Sequence, residues 1–391
     1  MWAARSSAPC SWASSQMHSI CWAFRPTGSQ QLPAPSSSWR WVSTAISASA
    51  GSCAETTHEK NQRMNKGNDM KRHLSRRTVL RAATAVLAIG FAIDGQSAMA
   101  AEHKIGMMIW NTSVPFYSNL IKGAQNTAKD LGASLDLQSG NGDLSTEISV
   151  VQQFIAQKVD LILITPSNAK GIVPVVKQAN EAGIPVIAVN NRVDTSSGAK
   201  IATFVGVDDV TFGKQQGELL AKAIGGKGKV AYILGKLGTS SQIDRKAGLM
   251  ETLKKYPDIK IVEEQSADWD NAKALAVTQD FLSRYPSGSL DAIIDQGPEG
   301  VNGASFAKQS GRTDVKFILG DYPADVRSAI QAGTVFGTVD QDPAPQGVMG
   351  VKDAVNLLDG KASEVPSPNH FLDLPIVTKD NVEQFPPAWG G

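Results

Sequence analysis

Beyond Cys53 the 391-residue chain contains no cysteine, which removes disulfides, thiolate metal sites and a cysteine nucleophile from everything that follows. Beyond residue 101 it has two histidines, His103 and His370, so zinc coordination and histidine-based acid–base catalysis are poorly supplied. Positive charge is scarce there too. The first 101 residues hold 11 Lys or Arg and 4 Asp or Glu, out of totals of 38 and 37, leaving 27 basic and 33 acidic residues and a balance of −6 for the rest. That remainder offers no basic face for a nucleic acid.

Nucleotide and hydrolase signatures are missing as well. The first strand-to-helix turn, Trp110-Asn111-Thr112-Ser113-Val114-Pro115, lacks the glycines that let a backbone approach a pyrophosphate. Gly225-Gly226-Lys227-Gly228 precedes a strand and reads as a turn. Gly235-Lys236 is followed by Leu237, where a phosphate-binding loop needs Ser or Thr for magnesium. No G-x-S-x-G elbow is present to mount a hydrolase nucleophile. The reading is of a non-enzyme with no catalytic residue, no cofactor and no metal.

What is there begins with an address. From Met70 a basic stretch leads into an apolar run, Ala82 to Ile93, too short to span a bilayer comfortably and flanked like a signal peptide. Ser75-Arg76-Arg77-Thr78-Val79-Leu80-Arg81 resembles the bacterial twin-arginine signal; the alternative is an ordinary basic signal with two adjacent arginines. Ala98-Met99-Ala100 suits cleavage before or after Ala101, and no cysteine stands there to carry a lipid. Residues 70–101 are thus read as a signal peptide and the mature chain as periplasmic. Residues 1–69, rich in Trp, Ser and Cys, are read as a spurious disordered extension, with Met64 or Met70 the initiator.

After Lys104 a short apolar run, a turn and a helical periodicity alternate about every 25 to 35 residues, the βαβ pattern. Strands are expected at Ile105 to Ile109, Leu135 to Leu137, Leu161 to Ile164 and Pro185 to Val189. A second series begins near Thr211, with strands at Val230 to Leu234, Ile259 to Val262, Ala292 to Ile294 and Phe317 to Leu319. Near-continuous apolar runs such as Leu161 to Ile164 imply parallel sheets covered on both faces, which bind ligands at the carboxyl ends of their strands.

The loops at those ends carry recognition chemistry. Trp110, Phe116 and Tyr117 follow the first strand, and Trp269 lies in the loop after Ile259 to Val262. Aromatic faces match the apolar C–H faces of a sugar ring, and planar polar groups match its hydroxyl rim. Phe116 reads equally as core, since it heads an apolar helix face. Arg245 stands near a helix start, where acids are preferred, so its fork either holds hydroxyls or a carboxylate or makes a surface salt bridge. Asn190, Asn191 and Arg192 follow a buried strand, as ligand contacts or as a hydrophilic turn. Gln341 lies between the β-like run Thr334 to Val339 and Pro343, at a crossover.

With these residues the chain resembles the periplasmic sugar-binding proteins of ABC importers, of the ribose and galactose type, over nearly all of 104–391. The matches are Pro115-Phe116-Tyr117, Ile184-Pro185-Val186-Ile187 leading to Asn190, Gly238-Thr239-Ser240 leading to Arg245, and Val339-Asp340-Gln341-Asp342-Pro343 followed by Gln346-Gly347. The resemblance implies the type I periplasmic binding fold: α/β, two similar Rossmann-like lobes, each a parallel sheet with helices on both faces, joined by a three-segment hinge. It implies crossings near Val207, Gln341 and Phe371, hence an amino-terminal lobe of 102–207 plus 342–371 and a carboxyl-terminal lobe of 208–341 plus 372–391. It also implies Phe116 and Tyr117 against one side of the ligand, Trp269 against the other, and Arg245 and Gln341 on its hydroxyls. Asn190-Asn191-Arg192 departs from the Asp-Arg of ribose binders, Thr165 stands for their Asn, Gly297 falls near another Asn, and the later Asp is Asp321 or is shifted to Tyr322. This mostly neutral rim suggests a solute other than ribose.

The implied activity is capture of a monosaccharide or related polyol between the lobes and its delivery to a membrane ABC permease by a monomeric carrier. A sensor for a chemoreceptor or histidine kinase is the alternative within binding. An enzyme using Asp268, Asp270 or Asp321 needs a carboxylate pair at fixed spacing. A transcription regulator with the same body needs a DNA-binding helix-turn-helix in front, where the export signal stands.

Overall fold

The computed structural model describes residues 102–390. The readings of residues 1–101, namely the extension, the start site, the twin-arginine signal and the cleavage position, lie outside the described residues.

The first series of elements is β1 (Lys104–Ile109), α1 (Pro115–Asp130), β2 (Ser134–Ser139), α2 (Leu144–Gln157), β3 (Leu161–Thr165), α3 (Val173–Glu181), β4 (Val186–Val189) and β5 (Phe204–Gly206). The second is α4 (Asp209–Ile224), β6 (Lys227–Leu234), α5 (Ser240–Leu253), β7 (Asp258–Ser266), α6 (Asn271–Arg284), β8 (Ala292–Asp295), α7 (Val301–Gln309), β9 (Lys316–Gly320), α8 (Ala324–Gln331) and β10 (Gly337–Val339). The chain then returns through α9 (Pro343–Leu358), β11 (Asn369–Phe371) and β12 (Ile376–Thr378).

Two six-stranded sheets result, ordered β11-β5-β4-β3-β1-β2 and β12-β10-β9-β8-β6-β7. The first is parallel throughout; in the second only the β10–β12 pair is antiparallel. The chain passes between the sheets after Gly206, after Val339 and between Phe371 and Ile376. Alternate strand residues point to opposite faces, and both faces are buried. Met107, Leu161 and Leu163 meet Leu120 and Ala124 of α1 and Val351 of α9 on one side. Met108, Ile162 and Ile164 meet Phe154 of α2 and Val175 of α3 on the other. The second sheet repeats this, with Ile233 and Phe317 facing Phe281 of α6, and Tyr232 and Ile318 facing Phe212 of α4 and Leu249 of α5.

Helices α4 and α5 approach so closely that glycine is needed on both. A Cβ on Gly213 would stand 1.9 Å from the Arg245 carbonyl oxygen, and one on Gly248 would stand 2.0 Å from that of Val210. Backbone cannot yield as a flexible side chain would, so Gly213→Ala should cost about 1–3 kcal/mol, as overpacking does. A urea midpoint within error of the parent's would contradict this.

Candidate functional site

Loops at the carboxyl ends of the strands converge on a small cavity. Trp110, Val114, Phe116, Tyr117 and Asn190 line it from the first lobe, and Ser241, Arg245, Trp269, Glu299, Asp321 and Gln341 from the second segment series. Three of these take left-handed backbone without being glycine: Asn190 at φ 61°, Trp269 at φ 60° and Asp321 at φ 58°. Such conformations are costly for bulky side chains and persist where the surroundings over-determine them. At Trp269 that support is a bare backbone wall, since a Cβ on Gly235 would lie 1.9 Å from the indole.

A chain of hydrogen bonds runs along the wall. Trp110 Nε1 donates to Tyr117 Oη at 2.7 Å, and Tyr117 donates to Asn190 Oδ1 at 2.8 Å. Asn190 Nδ2 donates to Gln346 Oε1 at 3.1 Å, Gln346 Nε2 to Gln341 Oε1 at 3.2 Å, and Gln341 Nε2 to Asp321 Oδ1 at 2.9 Å. Arg245 ends it, with Nη1 3.6 Å from Asp321 Oδ1 and Nε donating to Asp209 Oδ1 at 2.9 Å. Its Nη1 also donates to the Gln296 carbonyl at 2.6 Å, and its guanidinium lies 3.7 Å from the Phe212 ring centre. Each member is thereby oriented by its neighbour rather than left to rotamer chance.

Burial pushes Asp321 up to about 6, against the opposing pull of Arg245 and Gln341. Asp295 and Glu299 are also raised, first by burial and then by like charge, that of Asp321 acting on Asp295 and those of Asp295 and Asp321 acting on Glu299. Beside the neutral groups expected, the cavity lining also carries Arg245, Glu299 and Asp321.

Of the residues singled out in the sequence, Trp110, Phe116, Tyr117, Asn190, Arg245, Trp269, Asp321 and Gln341 line the cavity. Asn191 stands behind it, its Nδ2 donating to Tyr117 Oη at 3.2 Å and its Oδ1 accepting from Ser241 at 2.9 Å. Arg192 is elsewhere. It lies 4.0 Å over the Phe204 ring and donates to Asn369 at 2.8 Å, beside a wider, solvent-open hollow. Arg245 is in the second turn of α5, not at its start, and is 2 % exposed, which removes the surface salt bridge. Strand β7 extends to Ser266, so Trp269 follows it directly. Asp268 pairs with Lys273, and Asp270 caps α6 through the Lys273 amide, so neither faces the cavity. Tyr322 is buried with its hydroxyl on the Val382 and Phe385 carbonyls, while Asp321 faces inward.

Val114, Ser241 and Glu299 complete the lining without having been singled out in the sequence, and Trp389 backs it against Phe116. Ser241 and Glu299 sit in polar segments that read as surface, and Trp389 lies near the chain end. Its ring packs edge-on against Phe116, centres 5.5 Å apart, while its carbonyl accepts from Ala324 N at 3.0 Å. Further bonds join the two lobes at the opposite rim, Arg192 N to Ser240 Oγ at 2.7 Å and Ala169 N to the Gly238 carbonyl at 3.0 Å.

Two parallel-sheet lobes closed around a small aromatic and polar cavity define a cleft binder of the two-lobed α/β kind. The chain belongs to the family described as periplasmic binding protein domain, whose model matches residues 105–362. It is 31% identical over 306 residues to the xylitol-binding protein of Mycolicibacterium smegmatis, covering 77% of this chain and 85% of the relative. It is 28% identical over 298 residues to the ribose import binding protein of Escherichia coli, covering 76% and 98%. Among solved structures it matches an ABC transporter periplasmic solute binding protein from Actinobacillus succinogenes with bound D-allose, at a TM-score of 0.65 and 28% identity, covering 73% of this chain and all of that one.

Proposed function

We propose that the protein captures a monosaccharide or related polyol between its lobes and hands it to an ABC permease, performing no reaction on it. The observation that carries this is the composition of the cavity: aromatic faces of Phe116, Tyr117, Trp269 and Trp110 with Arg245, Asn190, Asp321 and Gln341 between them. Apolar ring faces and polar planes in alternation suit a molecule with C–H faces and a hydroxyl rim. The xylitol, ribose and allose binders that this chain resembles support the solute class.

In this reading the lobes open about the three crossings to admit the solute. Closure excludes water, strengthens each hydrogen bond and presents a composite surface to the permease. The same reading has the mature chain exported to the periplasm by residues 70–101, with Arg76-Arg77 favouring the twin-arginine route.

A thermal-shift screen of pentoses, hexoses, polyols and inositols on residues 102–391 tests it. A solute at 100 times its dissociation constant should add about 2.7 kcal/mol of stability. Trp269→Ala should weaken that solute about 10- to 100-fold, as loss of a central aromatic anchor does, with the fold retained. A panel that leaves the melt unmoved, or turnover of any sugar, refutes the proposal.

A further inference from the structure

One group on the cavity wall has no role in the bonds described above. Glu299 lies in the loop between β8 and α7, is 7 % exposed, and its Oε2 has no hydrogen-bond partner. It stands beside the Trp269 ring: a Cβ on Gly297 would lie 2.1 Å from Glu299 Oε2 and 3.0 Å from that indole. The neighbouring Asp295, at the carboxyl end of β8, is likewise buried with one oxygen, Oδ2, unpartnered. A buried polar atom left without a partner is expensive, and such atoms in a ligand cavity are those a ligand is placed to satisfy.

The charges around Glu299 decide what it can do. Arg245 on α5 is the cation that reaches this region, and it is committed to Asp209, Asp321 and the Gln296 carbonyl. Asp321 after β9 and Asp325 on α8 face the same space, and the charge of Asp295 from β8 also acts on Glu299. From the first lobe Val114, Pro115 and Phe116 bring no charge. With no free cation and three further carboxyls nearby, a second ionised carboxylate is poorly tolerated.

We infer that Glu299 is a specificity-determining residue of this cavity, its carboxyl group hydrogen-bonded to one hydroxyl of the bound solute at the edge of the Trp269 face. The group acts as a neutral acid and donates to the hydroxyl oxygen. Burial and the Asp295 and Asp321 charges hold it well above the usual carboxylate range, in keeping with that role. A solute lacking an oxygen at this point, such as a deoxy analogue, leaves the acid unsatisfied and is rejected. Because the protonated form is the binding form, affinity should fall as pH rises through the titration of Glu299, by at most about tenfold per pH unit for one proton.

This inference rests on the sugar or polyol reading, and the experiment separates the two. Dissociation constants of D-ribose, D-allose, D-arabinose, xylitol and myo-inositol are measured by calorimetry from pH 5 to 9 on the parent, Glu299→Gln and Glu299→Ala. The isosteric amide keeps a donor and cannot titrate. It should bind the preferred solute within a few-fold of the parent at pH 5 and lose the one-proton slope, while the alanine variant weakens it about tenfold at pH 5. Alanine binding as tightly as the parent, or an unchanged slope in Glu299→Gln, overturns the role of Glu299 and leaves the sugar reading standing. A parent that binds none of the five overturns both.

Discussion

Replacing Arg245 with alanine is expected to destabilise the protein by about 3–5 kcal/mol and to abolish solute capture in the same step, because it strands buried carboxylates. Asp209 is 2 % exposed and takes the Arg245 Nε at 2.9 Å, with its other oxygen already unpartnered. Asp321 keeps only Gln341, and the Gln296 carbonyl loses its 2.6 Å donor. Apolar packing would not replace these losses, since the guanidinium also covers the face of Phe212. Arg245→Lys should recover part of the stability but not the binding, because a point charge cannot serve Asp209, Asp321 and a carbonyl together. Urea unfolding at pH 8 and pH 5 gives a further check: the deficit should shrink at pH 5, where the stranded carboxyls take up protons. A deficit below 1 kcal/mol, or one that grows at pH 5, would show that the ion pairs carry little.

The parts legible beforehand were those set by local pattern. Leu161 to Ile164 reads as a strand buried on both faces because nothing in it tolerates water, and α1 reads as a helix because Phe116, Leu120, Ala124 and Ala128 share a face. Strands β5, β11 and β12, of three residues each, carry no such signal. They exist because distant segments pair, Asn369 with Phe204 and Gly337 with Thr378. The ambiguity among Asn190, Asn191 and Arg192 was likewise unresolvable from composition. In the structure Asn190, with left-handed backbone, lines the cavity, while Arg192 bonds Asn369 away from it.

Glu299 shows the opposite limit. Pro298-Glu299-Gly300 has the composition of an exposed turn, and its burial comes from the tertiary placement of Glu299 on one cavity wall with Trp269 and Asp321. The available signal was Asp295, an acid ending the apolar run Ala292 to Ile294 where such strands place ligand groups. Phe116 reads equally as core or as ligand wall, and in the structure it belongs to the core cluster of Leu120 while one side of it lines the cavity. A residue with two jobs has one sequence signature.

Raising the pH from 4 to 8 should lower the stability of the unliganded protein by several kcal/mol, a second large effect with its sign set by buried acids. Burial pushes Asp340 up to about 7, helped by the charges of Asp321 and Asp342, and pushes Asp321 up to about 6. Asp295 is raised in the same way. A carboxyl whose folded value lies above its unfolded one takes up a proton on folding. Its contribution is therefore fully present below about pH 4 and is lost as the pH rises through 6 to 7, each unit of difference being worth about 1.4 kcal/mol. Asp314, held low by Arg312, acts in the opposite sense, contributing above pH 4 and losing that contribution in stronger acid. The maximum should consequently lie near pH 4 to 5, on the acid side of the usual range. Asp340 gives the cleanest handle, since it lies outside the cavity and its Oδ1 has no partner to lose. Asp340→Asn should leave the protein about 1–3 kcal/mol more stable than the parent at pH 8, with little difference at pH 4.5. Urea titrations at both pH values decide it: equal stabilities at pH 8, or a parent whose stability rises from pH 5 to 8, would mean that these carboxyls are solvated in the folded protein.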